Sequence, residues 1–397
     1  MRANLDSSAS ADSKPLSGYG QIVLVLQGGG ALGAYQAGVY QALHEAGIEP
    51  DWIIGTSIGA INASLIAGNR PENRLDRLRE FWDRVEYSPA QKWASALPII
   101  GQAYANYLAI IGGIRGFFEP NPRAYFGEHT KLGPESAGYY STAPLRQTLT
   151  SLVDFEQVNS GPVRLTVGAA NVRTSAMRYF DSRDEDLSLD HIMASGALPP
   201  AFPAVRIDGE LYWDGGILSN TPVEAVFDDN PRRNSLVFAV HVWNPQGAEP
   251  ESIHQVANRQ KDLQYSSRAS THIARQRQIH KLRHIIAELA ARLPEAERQS
   301  QFVKDIAGYG CLTHMHVVRL LAPQIHGEDH AKDIDFSPNG IQTRWSAGRA
   351  DTQRVLELAP WTNSIDPVEG FILHEANGGV MNSPQINSQP QTEGVLP

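Results

Sequence analysis

Short apolar runs alternate with glycine turns and helical patterns along the first part of the chain. Gln21–Leu26 (QIVLVL) is apolar and rich in β-branched residues, which predicts a buried strand. Gln27–Gly33 is glycine-rich. Ala34–Ala46 then carries apolar residues at helical spacing, and Gly47 suits the position just past a helix end. Asp51–Ile54 predicts a second strand, Gly55–Gly59 a tight turn and Ala60–Ala67 a helix. Two strand–turn–helix units in succession imply a parallel sheet with helices on its faces.

The same pattern continues more loosely. Arg70–Arg84 predicts a charged surface helix, and Val163–Ala170 with Arg178–Asp181 predict paired strands. Leu187–Ser195 predicts a helix, ended by the proline cluster Leu198–Pro203. Leu211–Trp213 is a short strand into a turn, and Leu236–Val242 and His316–Leu321 read as two more core strands. Ile341–Leu358 is expected to be a final helix closing the domain. Ser252–Arg292 is helical in composition. Its Ile279, Leu282, Ile286, Leu289 and Leu293 are expected to pack on the core, with Arg275, Arg277, Lys281, Arg283 and Arg292 opposite. That basic face is either simply solvated or meets anionic lipid or a partner subunit. Leu97–Phe118 is long and mostly apolar, but Gln102, Asn106, Arg115 and several glycines interrupt it, and Pro98 and Pro120 bracket it. It fits a cap or pocket segment, 97–120, better than a membrane span. There is no internal repeat.

Composition narrows the class. The chain has 397 residues, 42% hydrophobic and 19% charged, which predicts a globular protein. A formal net charge of −9 gives no support to nucleic-acid binding. Cys311 is the only cysteine, so no internal disulfide framework can form, and a reducing, cytoplasmic setting is expected. Residues 1–19 lack the apolar core of a secretory signal and read as a loose tail. Residues 377–397, rich in Asn, Gln, Pro and Gly, read the same way. The histidines are scattered, and neither H-E-x-x-H nor a calcium loop occurs, so no metal is expected.

Two glycine motifs carry the chemistry. Gly28-Gly29-Gly30-Ala31-Leu32-Gly33 fits G-x-G-x-x-G, and Asp51 stands about where a ribose-binding acid would. A dinucleotide site therefore stays open at this point. The free N–H groups of such a loop could equally hold the oxyanion of an acyl-transfer intermediate. Gly55-Thr56-Ser57-Ile58-Gly59 is G-x-S-x-G between a strand and a helix, the setting that exposes a nucleophilic serine on a sharp turn. A serine needs a base. His191, His241, His314, His316, His326 and His330 follow it, none within a recognisable signature. Asp214, in Trp213-Asp214-Gly215-Gly216, is either a structural turn or, if burial raises its basicity, the proton acceptor.

A third block, Ala194-Ser195-Gly196-Ala197-Leu198-Pro199-Pro200-Ala201-Phe202-Pro203, precedes that aspartate. Taken in order, Gly28–Gly33, Gly55–Gly59, Ala194–Pro203 and Asp214–Gly216 resemble the motifs of the patatin-like phospholipases. The likeness covers Gln21–Val242. The remainder resembles a C-terminal extension of some bacterial members. The resemblance implies an α/β fold: three α/β/α layers, a central mostly parallel sheet and a helical C-terminal addition. Residues 20–245 would be the catalytic domain, and 246–376 an extension with a helix, the last core strand and a closing helix. It implies Ser57 as nucleophile, Asp214 as general base, and Gly28, Gly29, Gly30 and Ala31 as the oxyanion hole. Gly33, Gly55, Gly59, Gly215 and Gly216 would shape the turns. The substrate implied is a lipid or other acyl ester, with no cofactor and no metal. One departure is Leu32, where the family often has Arg or Lys; it weakens the expectation of a phospholipid more than that of ester chemistry. A lipid-binding protein without turnover, peripheral membrane contact and self-association all remain compatible with the sequence.

Overall fold

Nine strands form one sheet in the computed structural model, which describes residues 16–95, 97, 101–127, 129–325, 328, 330–363 and 369–375. The strands are β1 (Gln21–Leu26), β2 (Trp52–Thr56), β3 (Arg164–Asn171), β4 (Met177–Asp181), β5 (Val205–Ile207), β6 (Glu210–Asp214), β7 (Ser235–His241), β8 (Met315–Leu321) and β9 (Phe371–Glu375). Their order is β9-β8-β7-β1-β2-β3-β6-β5, with β4 also on β3. Neighbours from β9 to β3 run parallel, while β4, β6 and β5 are antiparallel additions.

Alternation along the central strands makes three layers. Leu24, Leu26, Ile53, Phe238 and Val240 join one apolar cluster, under helices α1 (Ala34–Glu45) and α2 (Ile58–Ala67). Val23, Val25, Trp52, Ile54, Val237 and Ala239 join the other. Both faces are thus covered, which is why these strands are continuously apolar in sequence. Helix α3 (Gly101–Gly112) lies within the apolar stretch Leu97–Phe118, whose Pro98 falls outside the described residues. Among the described residues, no helix is long and apolar enough to cross a membrane. The expected N-terminal tail lies outside the described residues up to residue 15, and the C-terminal one entirely.

Two expectations need correction. The helix predicted at Ile341–Leu358 is present as α5 (Pro338–Leu358), after the long helix α4 (Ile253–Arg292), but it does not close the chain. Strand β9 follows and forms the sheet edge, with Phe371–His374 buried. Its apolar run is only three residues long and adjoins a polar tail, too short to show a period. Helix α4 is also rotated from its expected setting. Leu282 and Leu289 are exposed, whereas Ile273, His280 and His284 are buried. The inner stripe is polar because it meets polar partners. Arg277 donates to Glu369 (2.8 Å), and His280 Nε2 lies 2.8 Å from the Thr313 carbonyl. Lys281, assigned to the solvated face, also pairs with Glu369.

Helix α5 lies across α1 at two glycines. A Cβ at Gly38 would meet the Trp345 carbonyl oxygen at 1.9 Å, and one at Gly348 the Tyr35 carbonyl oxygen at 2.0 Å. The two backbones therefore touch, and strands β8 and β9 extend the sheet that β1 begins.

The β8–β9 edge carries two buried histidines that face each other. His316 and His374 stack with rings 5.4 Å apart, and Nδ1 of the first lies 3.1 Å from Nε2 of the second. Burial, then the neighbouring imidazole, pushes His316 down to about 4; burial pushes His374 to about 4. Burial with Arg319 nearby pushes His241 to about 3. The unfolded chain titrates these groups near pH 6.5 and so takes up protons first as pH falls. The stability these histidines contribute is fully present above about 6.5 and declines as pH drops toward 4. Tm measured by calorimetry should fall by roughly 5–10 °C between pH 7 and pH 5. His374→Gln should flatten that slope; an unchanged slope would contradict the assignment.

Candidate active site

Strand register brings the site together. Strand β3 pairs with β2 along Arg164–Gly168, where Thr56 stands beside Gly168. It then pairs with β6 along Ala169–Asn171, where Asp214 stands beside Ala169. Strand β4 overlaps both segments, so β2 and β6 must share the opposite edge of β3. One strand takes up where the other stops. Ser57, the residue after β2, thereby meets Asp214, the last residue of β6.

Ser57 sits at φ 58°, ψ −127°, a region that non-glycine residues avoid. Such strain persists only where the surroundings over-determine it. Here the Ser57 N–H donates to Ser195 Oγ (3.0 Å), and that hydroxyl donates to the Gly168 carbonyl (2.7 Å). The short helix Leu189–Ser195 thus clamps the turn to β3. Helix α2 starts immediately after the serine and crosses the end of β1 closely. A Cβ at Gly59 would lie 2.2 Å from the Leu26 carbonyl oxygen.

Asp214 is 2% exposed, and its Oδ1 accepts from the Gly216 N–H (2.7 Å). Burial pushes its carboxyl up to about 6, against the opposing pull of hydrogen bonds from Ser57 and the Gly216 N–H. Among the described residues, no histidine lines the cavity. His191 accepts from the Ser188 N–H and caps a helix. His241 and His316 lie in strands, and His314 precedes β8. His330 is away from the cavity, and His326 falls outside the described residues. Asp51 receives the Ile22 N–H (2.7 Å) before β2 begins, at the opposite sheet end from the glycine loop. It cannot serve a ligand held by that loop. Among the described residues there is no group of three or more metal-binding side chains.

The glycine loop follows β1 and faces Ser57. Its first member is already committed: the Gly28 N–H donates to the Asn220 carbonyl (3.1 Å), and its carbonyl accepts from Asn220 Nδ2 (3.1 Å) and Trp243 Nε1 (2.8 Å). The N–H groups of Gly29 and Gly30 have no protein acceptor among the described residues. Ala31 is fully buried in the core. Gln27 anchors the loop from beneath, its Oε1 accepting from the Val242 and Trp243 N–H groups (2.6 and 3.1 Å). Leu32 is buried too, and the same small recess is lined by Lys332 and Arg344, each paired with a carboxylate.

Ser57 and Asp214 open into a cavity of about 160 Å³. Phe117, Phe118, Phe202 and Phe336 form one wall, with ring centroids 5.5–6.3 Å apart. Ile110 of α3 belongs to the same wall. Trp243, Tyr265 of α4 and Asp333 complete the lining from the C-terminal part of the chain. Ser195 lay inside a recognised sequence block, but its clamp role had no local signal. Asn220 follows Asp214 by six residues, which offered a weak one. Trp243, Tyr265 and Asp333 come from distant positions that no motif links.

A family model described as patatin-like phospholipase matches residues 24–227, and a second, described as patatin phospholipase, matches residues 263–368. Patatin-like phospholipase domain-containing protein 6 of Homo sapiens is 41% identical over 81 residues, 20% of this chain and 6% of that protein. Patatin-like phospholipase domain-containing protein 7 of Mus musculus is 53% identical over 204 residues, 51% of this chain and 12% of that protein. Lysophospholipase NTE1 of Yarrowia lipolytica is 25% identical over 297 residues, 67% of this chain and 18% of that protein. The matched segments thus span between 6% and 18% of these relatives' own lengths. Among solved structures, VipD from Legionella pneumophila is similar with a TM-score of 0.35 and 17% identity, covering 87% of this chain and 68% of that one.

Proposed function

The chain belongs to the patatin-like phospholipase family, and on that premise we propose that it is a lipid acyl hydrolase working through a Ser57–Asp214 dyad. One observation carries the reading: a strained serine and a buried carboxylate of raised basicity meet on the floor of an aromatic cavity. The Ser57 hydroxyl attacks the acyl carbonyl carbon as its proton passes to Asp214. The Gly29 and Gly30 N–H groups hold the oxyanion, while Gly28 fixes the loop. Asp214 returns the proton to the departing alcohol, leaving an acyl-serine. Water then attacks, again giving its proton to Asp214, and the fatty acid leaves with Ser57 restored. Residues 20–245 carry the reacting groups, and 246–376 supplies Tyr265 and Asp333 to the cavity.

A cavity this small sits below the ~300 Å³ usual for ligand pockets. A long acyl chain must therefore extend through the mouth beside Ile110.

The test is labelling with a fluorophosphonate probe, read by peptide mass. Ser57 should be modified and Ser57→Ala left unmodified. Absence of labelling would favour a lipid-binding protein without turnover. The pH profile of kcat/KM should rise to a plateau with its midpoint near 6, because Asp214 must be ionised to accept a proton. A midpoint near 4 would rule out Asp214 as a base of raised basicity.

A further inference from the structure

Large exposed side chains gather on the segment that walls the cavity. In α3, Tyr104, Tyr107 and Ile111 recur at three-and-four spacing and face outward, with Tyr107 56% exposed. Ala105 and Ala109 are buried on the opposite stripe. The turn at residues 122–126 adds Tyr125 and Phe126, the latter 81% exposed. These pieces are joined. The Tyr125 ring lies 6.1 Å from that of Tyr139, and the Tyr140 hydroxyl donates to the Ile110 carbonyl (2.6 Å). Ile110 is both 45% exposed and part of the cavity wall. Ile110 therefore joins the outer face to the cavity that holds Ser57.

Charge on this segment departs from the rest of the chain. Residues 89–127 hold Arg115 and Arg123 against Glu119, besides Lys92, which is paired with Glu86 (2.6 Å), in a chain of net charge −9. Arg115 and Arg123 are exposed and make no ion pair among the described residues. Tyrosine carries an apolar ring with a polar tip and settles where hydrocarbon meets headgroup. A monomeric soluble surface rarely shows so contiguous an apolar patch without a partner.

We propose that this face, centred on Tyr107, Ile111 and Phe126 and flanked by Arg115 and Arg123, docks the enzyme on an anionic phospholipid bilayer. Docked this way, the mouth opens at headgroup depth, and an acyl ester passes from the bilayer to Ser57 along Ile110. The proposal rests on the acyl hydrolase reading but is measured apart from it.

The test uses the full chain carrying Ser57→Ala, so that vesicles stay intact. It should sediment with phosphatidylcholine vesicles containing phosphatidylglycerol and much less with phosphatidylcholine alone. Adding Tyr107→Ser and Phe126→Ser should lower the partition coefficient about tenfold or more, and Arg115→Gln with Arg123→Gln should remove the preference for phosphatidylglycerol. The two serine substitutions in the otherwise native chain should leave hydrolysis of dissolved p-nitrophenyl butyrate unchanged, which also reports that the fold survives. Unaltered sedimentation of the serine variant would overturn the proposal. So would a change from dimer to monomer in the serine variant with no vesicle effect, which would make the face a contact between copies. If the native chain fails on p-nitrophenyl butyrate while sedimentation behaves as expected, the hydrolase reading fails and the docking surface stands.

Discussion

Asp214→Asn should lower kcat/KM for p-nitrophenyl butyrate by about ten-thousand-fold or more. The amide keeps the size of the carboxylate and can still accept from the Gly216 N–H, so the turn survives. What it cannot do is take a proton from Ser57. Ser57→Ala should cost as much, and the double variant little more than either single one, because the two groups act as a unit. A multiplicative loss in the double variant would mean that they work independently. Stability should move the other way. Ionised Asp214 is held in a buried place with its carboxyl at about 6. The unfolded chain releases that proton near 3.9, so stability falls as pH rises from about 4 to 6 and stays reduced above. That penalty is roughly 3 kcal/mol at pH 8. Asparagine removes it, so the inactive variant should melt higher than the native chain at pH 8. An equal or lower Tm would sink the argument that burial is what raises its basicity.

Gly59→Ala should severely damage both the fold and the site. The added Cβ would fall 2.2 Å from the Leu26 carbonyl oxygen, 2.7 Å from its carbon and 3.0 Å from the Gln27 oxygen. All three atoms are backbone, at the point where β1 passes into the glycine loop, so no rotamer can relieve the contact. Helix α2 must lift from the sheet, and both Ser57 and the Gly29–Gly30 donors move. A loss of about 3 kcal/mol or more is expected, at the upper end of the usual cost of overpacking a rigid core. Activity should fall by roughly a thousandfold or more in whatever folded fraction remains, since misplacement by about 1 Å already costs a hundredfold. Gly112→Ala, whose Cβ meets nothing within 4 Å, is the control and should melt like the native chain.

The parts legible in sequence are those whose cause is local. Strand β1, helix α1, strand β2 and helix α2 follow from apolar runs cut by glycines, and the predicted and observed bounds differ by a few residues. The fold class and the family follow from four ordered motifs. What escaped reading depends on contacts far apart in the chain. The polar inner stripe of α4 exists because Glu369 and the Thr313 carbonyl await it. The commitment of the Gly28 N–H is set by Asn220, 192 positions away. Strand β9 is a strand because β8 offers it an edge. The loss of the family's cation at position 32 looked like a clue to substrate. In the folded chain the position is buried, and Lys332 and Arg344 line the recess beside it.

The crossing of α1 by α5 has a consequence for how the protein is made. The backbone at Gly38 is covered by that at Gly348, about three hundred residues later in synthesis. At roughly 5–20 residues per second, a ribosome needs tens of seconds to deliver the second helix after the first has emerged. Throughout that interval the surface around Tyr35 and Val39 has no cover, and β1 waits for β7 as well. The nascent chain therefore offers chaperones an uncovered helix face throughout that interval, and emergence of α5, rather than of the Ser57 motifs, is the event that lets the fold close around the site.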